Sequence, residues 1–254
     1  MKKSTIVALV ISIVIFGGAF IYLKDKRQKA DAVTTTTTTE KETPKAVSGT
    51  YYGIDVSHWN GNIVEDINKM DDLSFGICKA TQGVGYIDPD FDTNWKALRQ
   101  KGLIRGAYHF YKTNKEPVEQ AQYYYQQLKG HSDDRQMTFI VDIEAGSLSG
   151  NETASDVEKV LLSFLKELET LSGKTPMVYT NYAFANQYLT NATLAKYPLW
   201  LAEYSGQASP SIPAAWQQDG YTIWQKTDTH DLNSSKVDYD EYNGVLGALN
   251  VFGE

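Results

Sequence analysis

The chain has 254 residues, 42% of them hydrophobic, enough for one sizeable core with appendages. A net charge of −7 and an isoelectric point near 5.2 argue against a nucleic-acid binder. Cys78 is the only cysteine, so an internal disulfide and cysteine-based metal motifs are excluded. It lies in the apolar run Phe75–Ala80 (FGICKA), where packing is its expected role and a reactive thiol the minor alternative.

Met1, Lys2 and Lys3 precede an uncharged, mostly apolar run from Ser4 to Leu23. Its length approaches the roughly 20 residues that span a bilayer as a helix. Residues 1–23 are therefore expected to be an uncleaved transmembrane anchor. A cleaved signal peptide is the alternative, since Gly17, Gly18 and Ala19 offer small residues at a cleavage site. Cutting there would leave the apolar stretch Phe20–Leu23 on the mature terminus. Lys24, Lys26, Arg27 and Lys29 follow the span, and the positive-inside bias would hold them in the cytoplasm. Residues 24–48 read as a disordered linker. Six consecutive threonines, Thr34 to Thr39, and the charged stretch Glu40–Pro44 leave it almost nothing to bury.

From Gly49 onward strand-like runs alternate with helical patterns. Strands are expected at Tyr51–Val56, Phe75–Thr81, Ile104–Tyr111, Met137–Glu144, Pro176–Thr180, Leu199–Tyr204 and Tyr221–Lys226, with a last short one near Val237. Phe91, Trp95 and Leu98 share one helix face. The strongest helix runs from Thr153 to Leu171, with Val157, Val160, Leu161, Phe164, Leu165 and Leu168 as its apolar stripe. Glu116 to Leu128 is a tyrosine-rich third. Alternating βα units argue for an α/β fold with a parallel sheet. Helical patterns are scarce after Leu189, so an irregular TIM-like barrel, with helices around its first five strands, fits better than a regular eight-fold one.

The chemistry centres on Met137–Glu144 (MTFIVDIE), a strand apolar until its end, where Asp142 and Glu144 stand at i and i+2. Side chains alternate along a strand, so both acids emerge on one side with Cα atoms roughly 6.5 Å apart. Each raises the pKa of the other, so one can stay protonated near neutral pH while its neighbour is ionised. Acid-assisted cleavage of a glycosidic bond needs that combination. Alone, the pattern also describes two solvated acids at a strand end, a common arrangement.

Further acids stand in comparable runs: Asp55 in Tyr51–Trp59 (YYGIDVSHW) and Asp238 in Lys236–Asp240 (KVDYD). Together with Gly106–Tyr111 (GAYHFY), Met177–Thr180 (MVYT), Trp200–Tyr204 (WLAEY) and Ile223–Lys226 (IWQK), these stretches resemble the glycoside hydrolase family 25 lysozymes, in the family's order from about Gly49 to the C-terminus. The resemblance implies a barrel that hydrolyses muramic acid linkages of bacterial peptidoglycan. It implies Glu144 as general acid and Asp142 as stabiliser of the charge at the anomeric carbon, or as the group that orients the substrate acetamide. Asp55 and Asp238 would hold the electrostatic balance; a structural role for Asp238 is nearly as well supported by the residues alone. Tyr108, Tyr179, Trp200 and Trp224 are candidates for sugar-binding walls, with inward packing an equal alternative for each.

No cofactor or metal is expected. His58 and His109 read as hydrogen-bonding partners without the spacing of a metal pair, and the acidic loop Asp228–Asp231 reads as solvated surface. Asn60 and Lys226 depart from the family pattern, which expects glutamine and tyrosine there, and both stand where they would line the cleft. A chitinase-like barrel also ends a strand in Asp-x-Glu, but Ile140 and Met137 occupy the places of its further acids. Retention of all four carboxylates argues against a non-catalytic wall-binding module. The expected partners are peptidoglycan and, through the N-terminal helix, the membrane. The catalytic domain is expected to be monomeric and, against the positive-inside bias of Lys24, Lys26, Arg27 and Lys29, to lie on the cell-wall side of the membrane, because the implied substrate is outside; if the N-terminal run is cleaved it is secreted.

Overall fold

The computed structural model describes residues 48–131, 135–232 and 235–250. The expected anchor and all but the last residue of the expected linker lie outside them. Among the described residues no helix is long and apolar enough to cross a membrane.

The strands are β1 (Ser48–Val56), β2 (Leu73–Gln82), β3 (Tyr86–Ile87), β4 (Ile104–Phe110), β5 (Ile140–Asp142), β6 (Met177–Asn181), β7 (Leu199–Ala202), β8 (Ile223–Leu232) and β9 (Ser235–Val245). The helices are α1 (Val64–Lys69), α2 (Phe91–Gln100), α3 (Pro117–Leu128), α4 (Ala154–Ser172) and α5 (Tyr182–Tyr188). The order β1-β9-β8-β7-β6-β5-β4-β2, closed by a β1–β2 pairing, makes an eight-stranded barrel among the described residues, with β3 hairpinned onto the end of β2. β9 alone of these barrel strands runs antiparallel to its neighbours. Each of the first five barrel strands is followed by an α-helix; after α5 only short 3-10 turns appear among the described residues.

Alternation along the strands separates two apolar layers. Phe75, Ile77, Ile104, Met137, Ile140, Met177, Trp200, Ile223 and Tyr242 fill the barrel interior, while the intervening residues pack outward against the helices. α4 shows why its sequence is helical. Thr153 caps it, accepting from the Asp156 backbone N–H while the Asp156 carboxylate accepts from the Thr153 backbone N–H at 3.0 Å. Gly173, in the left-handed conformation at φ 67°, ends it. The expected stripe is buried at Val157, Leu161, Phe164, Leu165 and Leu168, with Val160 at its margin.

Four strands differ in extent from expectation. The regular part of β5 is only Ile140–Asp142, although Met137 still donates to the Arg105 carbonyl at 2.8 Å and runs beside β4. β8 extends to Leu232, and the short last strand is the eleven-residue β9. The polar stretch 226–231 reads as loop in one dimension; it is strand because β9 supplies its hydrogen-bonding partners. The first strand also starts at Ser48, one residue inside the expected linker.

Gly53 faces the interior, and a Cβ there would sit 2.2 Å from the Phe75 ring. Phe75 is fully buried and has nowhere to retreat. Gly53→Ala is therefore expected to destabilise the barrel by about 1–3 kcal/mol, measured by urea denaturation.

Candidate active site

The acids gather at the carboxyl ends of the parallel strands, where barrels of this class carry their sites. Asp142 is the last residue of β5, and Glu144, still extended at φ −151°, keeps the alternation and faces the same cleft. Because β9 runs the other way, its N-terminal half reaches this end of the barrel, and Asp238 pairs directly opposite Asp55 of β1. Like charges directly opposite destabilise a sheet, so an acid pair in that register is tolerated for something other than folding. Asp55, Asp142, Glu144 and Asp238 line one cleft of about 260 Å³ with Lys79, Tyr108, Tyr179 and Trp200. A neighbouring hollow lined by Tyr182, Glu203 and Tyr204 shares Glu144 and Tyr179 with it and lengthens the groove.

Burial, followed by the Glu144 charge, raises the Asp142 carboxyl well above its usual range, with Lys79 opposing. Asp142 Oδ1 is buried without a hydrogen-bond partner. Glu144 is likewise raised by burial and opposed by Lys79. The Lys79 ammonium is itself lowered by burial and supported by Asp142, Asp88 and Glu144; it donates to Gln82 Oε1 at 2.9 Å. This cation therefore moderates the acid pair without forming a direct ion pair.

Asp55 is held by Gln225, whose Nε2 donates to Asp55 Oδ2 at 2.6 Å. The Gln225 amide is oriented in turn by two hydroxyl donors on its Oε1, Tyr179 at 2.9 Å and Tyr204 at 2.5 Å. Burial raises the carboxyls of both Asp55 and Asp238. Trp59, 82% exposed, offers a flat apolar face at the rim.

Of the expected sugar-wall aromatics, Tyr108, Tyr179 and Trp200 line the cleft and Trp224 does not. Trp224 alternates with Gln225, so when Gln225 points inward Trp224 points out. Its indole N–H donates to the Glu203 carbonyl at 2.8 Å, and the Lys226 ammonium lies 4.7 Å from its ring centroid. Trp200 is a floor rather than an open wall, being 1% exposed with its indole N–H donated to Asp240 at 2.7 Å. Lys226 is also outside the cleft, paired with Glu241 at 2.6 Å. Asn60 lines the cleft; its side chain donates to the Lys236 carbonyl and accepts from the Ser57 backbone.

His58 binds the buried Asp88 through Nδ1 at 2.6 Å. His109 is fully buried on the outer face of β4 between Thr81 and Gln120, and burial pushes its pKa down to about 3, so it is neutral. In the acidic loop, Asp231 pairs with Lys236 at 2.5 Å. Among the described residues no group of three acidic, histidine or cysteine side chains is arranged to hold a metal ion. Lys79, Gln225 and Asp240 were not singled out by the sequence reading. The signal was available: Asp238 and Asp240 repeat the i, i+2 spacing of Asp142 and Glu144, and Lys79 follows Phe75 and Ile77 at the same interval.

A closed α/β barrel with buried, proton-retaining carboxyls and an aromatic groove at its catalytic end is the arrangement of a glycoside hydrolase. Residues 54–235 match the model of the glycosyl hydrolases family 25, and the chain belongs to that family. The lysozyme M1 of Streptomyces globisporus is 31% identical over 206 residues, covering 78% of this chain and 69% of that protein. The Escherichia coli (strain K12) protein YegX is 31% identical over 214 residues, 81% of this chain and 74% of its own. Among solved structures, the bacterial lysozyme from Streptomyces coelicolor superposes with a TM-score of 0.71 at 29% identity, over 79% of this chain and 97% of that one.

Proposed function

We propose that this chain is a muramidase that hydrolyses the β-1,4 bond between N-acetylmuramic acid and N-acetylglucosamine in bacterial peptidoglycan. The observation that carries the reading is the pair Asp142 and Glu144, adjacent inward positions whose carboxyls are both raised by burial inside the groove. The lysozymes among the relatives support the substrate class. Mass spectrometry of digested peptidoglycan tests it: reducing-end muramic acid is expected, and reducing-end glucosamine would mean a glucosaminidase.

In this reading Glu144 protonates the leaving oxygen. Asp142 polarises the N–H of the muramic acid 2-acetamido group, whose carbonyl oxygen attacks the anomeric carbon. A covalent glycosyl-enzyme would need two carboxyls about 5–5.5 Å apart on opposite sides of the scissile bond. Two acids on one face of one strand are poorly disposed for that. Asp55 and Asp238 set the charge of the site. Tyr108, Tyr179 and Trp200 shape the sugar subsites, and Trp59 at the rim stacks on the polymer.

The proposal extends to the whole chain: residues 1–23 anchor it in the membrane, 24–48 form the tether and 49–254 form the catalytic domain on the cell-wall side. Composition supports this division. Full-length protein is expected to stay with membranes through a high-salt wash and to retain Met1 or Lys2 at its N-terminus; a mature start near Phe20 with activity in the medium would overturn the anchor. A chain beginning near Val47 should fold and cleave soluble wall fragments as well as the full chain. Loss of folding on that truncation would show that the domain boundary is misplaced.

A further inference from the structure

β9 carries a second inward acid that the reaction above does not use. Asp240 stands two residues beyond Asp238, opposite Gly53 of β1 and Gln225 of β8, and is fully excluded from solvent. Its Oδ1 accepts the Trp200 indole N–H at 2.7 Å. Its Oδ2 is buried with no donor in reach. The Asp55 carboxyl lies within hydrogen-bonding reach of both Asp240 and Asp238, and Gln225 already donates to Asp55 Oδ2.

An ionised carboxylate can only accept hydrogen bonds. Two buried carboxyls in contact, one with an orphaned oxygen, form a bond only if they share a proton. The groups facing Asp240 are Asp55 from β1, Asp238 from its own strand, Trp200 from β7 and Gln225 from β8, with the Asp142 charge reaching Asp55 from β5. None of these is a cation that would stabilise a second negative charge. Burial raises the Asp240 carboxyl well above its usual range and the Asp238 charge adds to it, while the Trp200 N–H and a hydrogen bond with Asp55 oppose; the Asp240 charge in turn raises Asp55.

We propose that Asp240 is a positioning residue whose Oδ2 shares one proton with the Asp55 carboxyl, so that the pair presents one fixed negative charge to the cleft. Asp55 is then clamped between the Gln225 amide and the shared proton. Trp200 locks the orientation of Asp240 from the far side, and Glu144 is spared a further negative charge that would tighten its proton.

The kinetic consequence rests on the muramidase reading; the protonation state does not, and the two are read separately. Infrared difference spectra of the full chain against Asp240→Asn at neutral pH report the proton directly. A carboxylic acid C=O band present in the native protein and missing from the variant is expected. Loss of carboxylate bands alone would overturn the proposal. In wall-cleavage assays Asp240→Leu, which removes the carboxyl that shares the proton with Asp55, should lower kcat/KM roughly tenfold to hundredfold. Asp240→Asn keeps a donor for Asp55 and an acceptor for Trp200 at unchanged charge, so it should recover most of that loss with the native pH optimum. An optimum displaced to lower pH in Asp240→Asn would show that a real negative charge had been removed, and would also overturn the proposal. If the acid band is present but no native protein cleaves walls, the muramidase reading fails and the shared proton stands.

Discussion

Glu144→Gln is expected to lower the rate of wall cleavage roughly 10²–10⁴-fold, with binding of wall fragments retained. The amide is nearly isosteric but has no proton to give to the leaving oxygen. The pH profile follows from the direction of the native shift. Burial raises the Glu144 carboxyl, so the acid form persists above the ordinary range of a glutamate. Activity should therefore survive to higher pH than an exposed glutamate would allow, then fall as pH rises through the shifted value. Lys79, which opposes the shift, limits how far the falling limb moves. Turbidity loss of purified walls, followed across pH for the native chain and the variant, measures both effects. Native-like activity in Glu144→Gln would remove Glu144 as the proton donor.

Asp142→Asn is expected to be severely impaired for a different reason, and to be more stable. Asp142 Oδ1 is buried without a partner, and burial and Glu144 raise its pKa. An acid whose folded pKa is raised contributes stability that is present below its unfolded pKa and is lost as pH rises toward the folded value. Replacing it with a neutral amide removes that cost, so Asp142→Asn should gain about 1–3 kcal/mol at neutral pH and little at strongly acidic pH. Thermal or urea unfolding at two pH values measures this. On the proposed mechanism the loss of activity would reflect the substrate acetamide, which the variant no longer polarises. A wall fragment with a free 2-amino group on the muramic acid at the cleavage site should resist the native enzyme. Its efficient cleavage, or a sugar adduct trapped on Asp142, would replace the acetamide with Asp142 as nucleophile.

The local patterns determined a good deal of this molecule. Short apolar runs marked the strands, the stripe from Val157 to Leu168 marked α4, and the scarcity of helical patterns after Leu189 marked the bare side of the barrel. Asp142 and Glu144 were legible as a pair facing one way because their relation is set by two residues of extended backbone. What only the tertiary structure decided was which way each strand turns. In a barrel wrapped by helices both faces of a strand are apolar, so alternation says that Trp224 and Gln225 point apart without saying which one meets the cleft. The register β9 adopts between β8 and β1 decides that, and it is a long-range choice made by interior packing around Phe75 and Gly53. The same register sets Asp238 opposite Asp55, buries Asp240 beneath them and turns the polar stretch 226–231 into strand. No spacing along the chain encodes these contacts, because residues 55 and 240 meet only when the barrel closes.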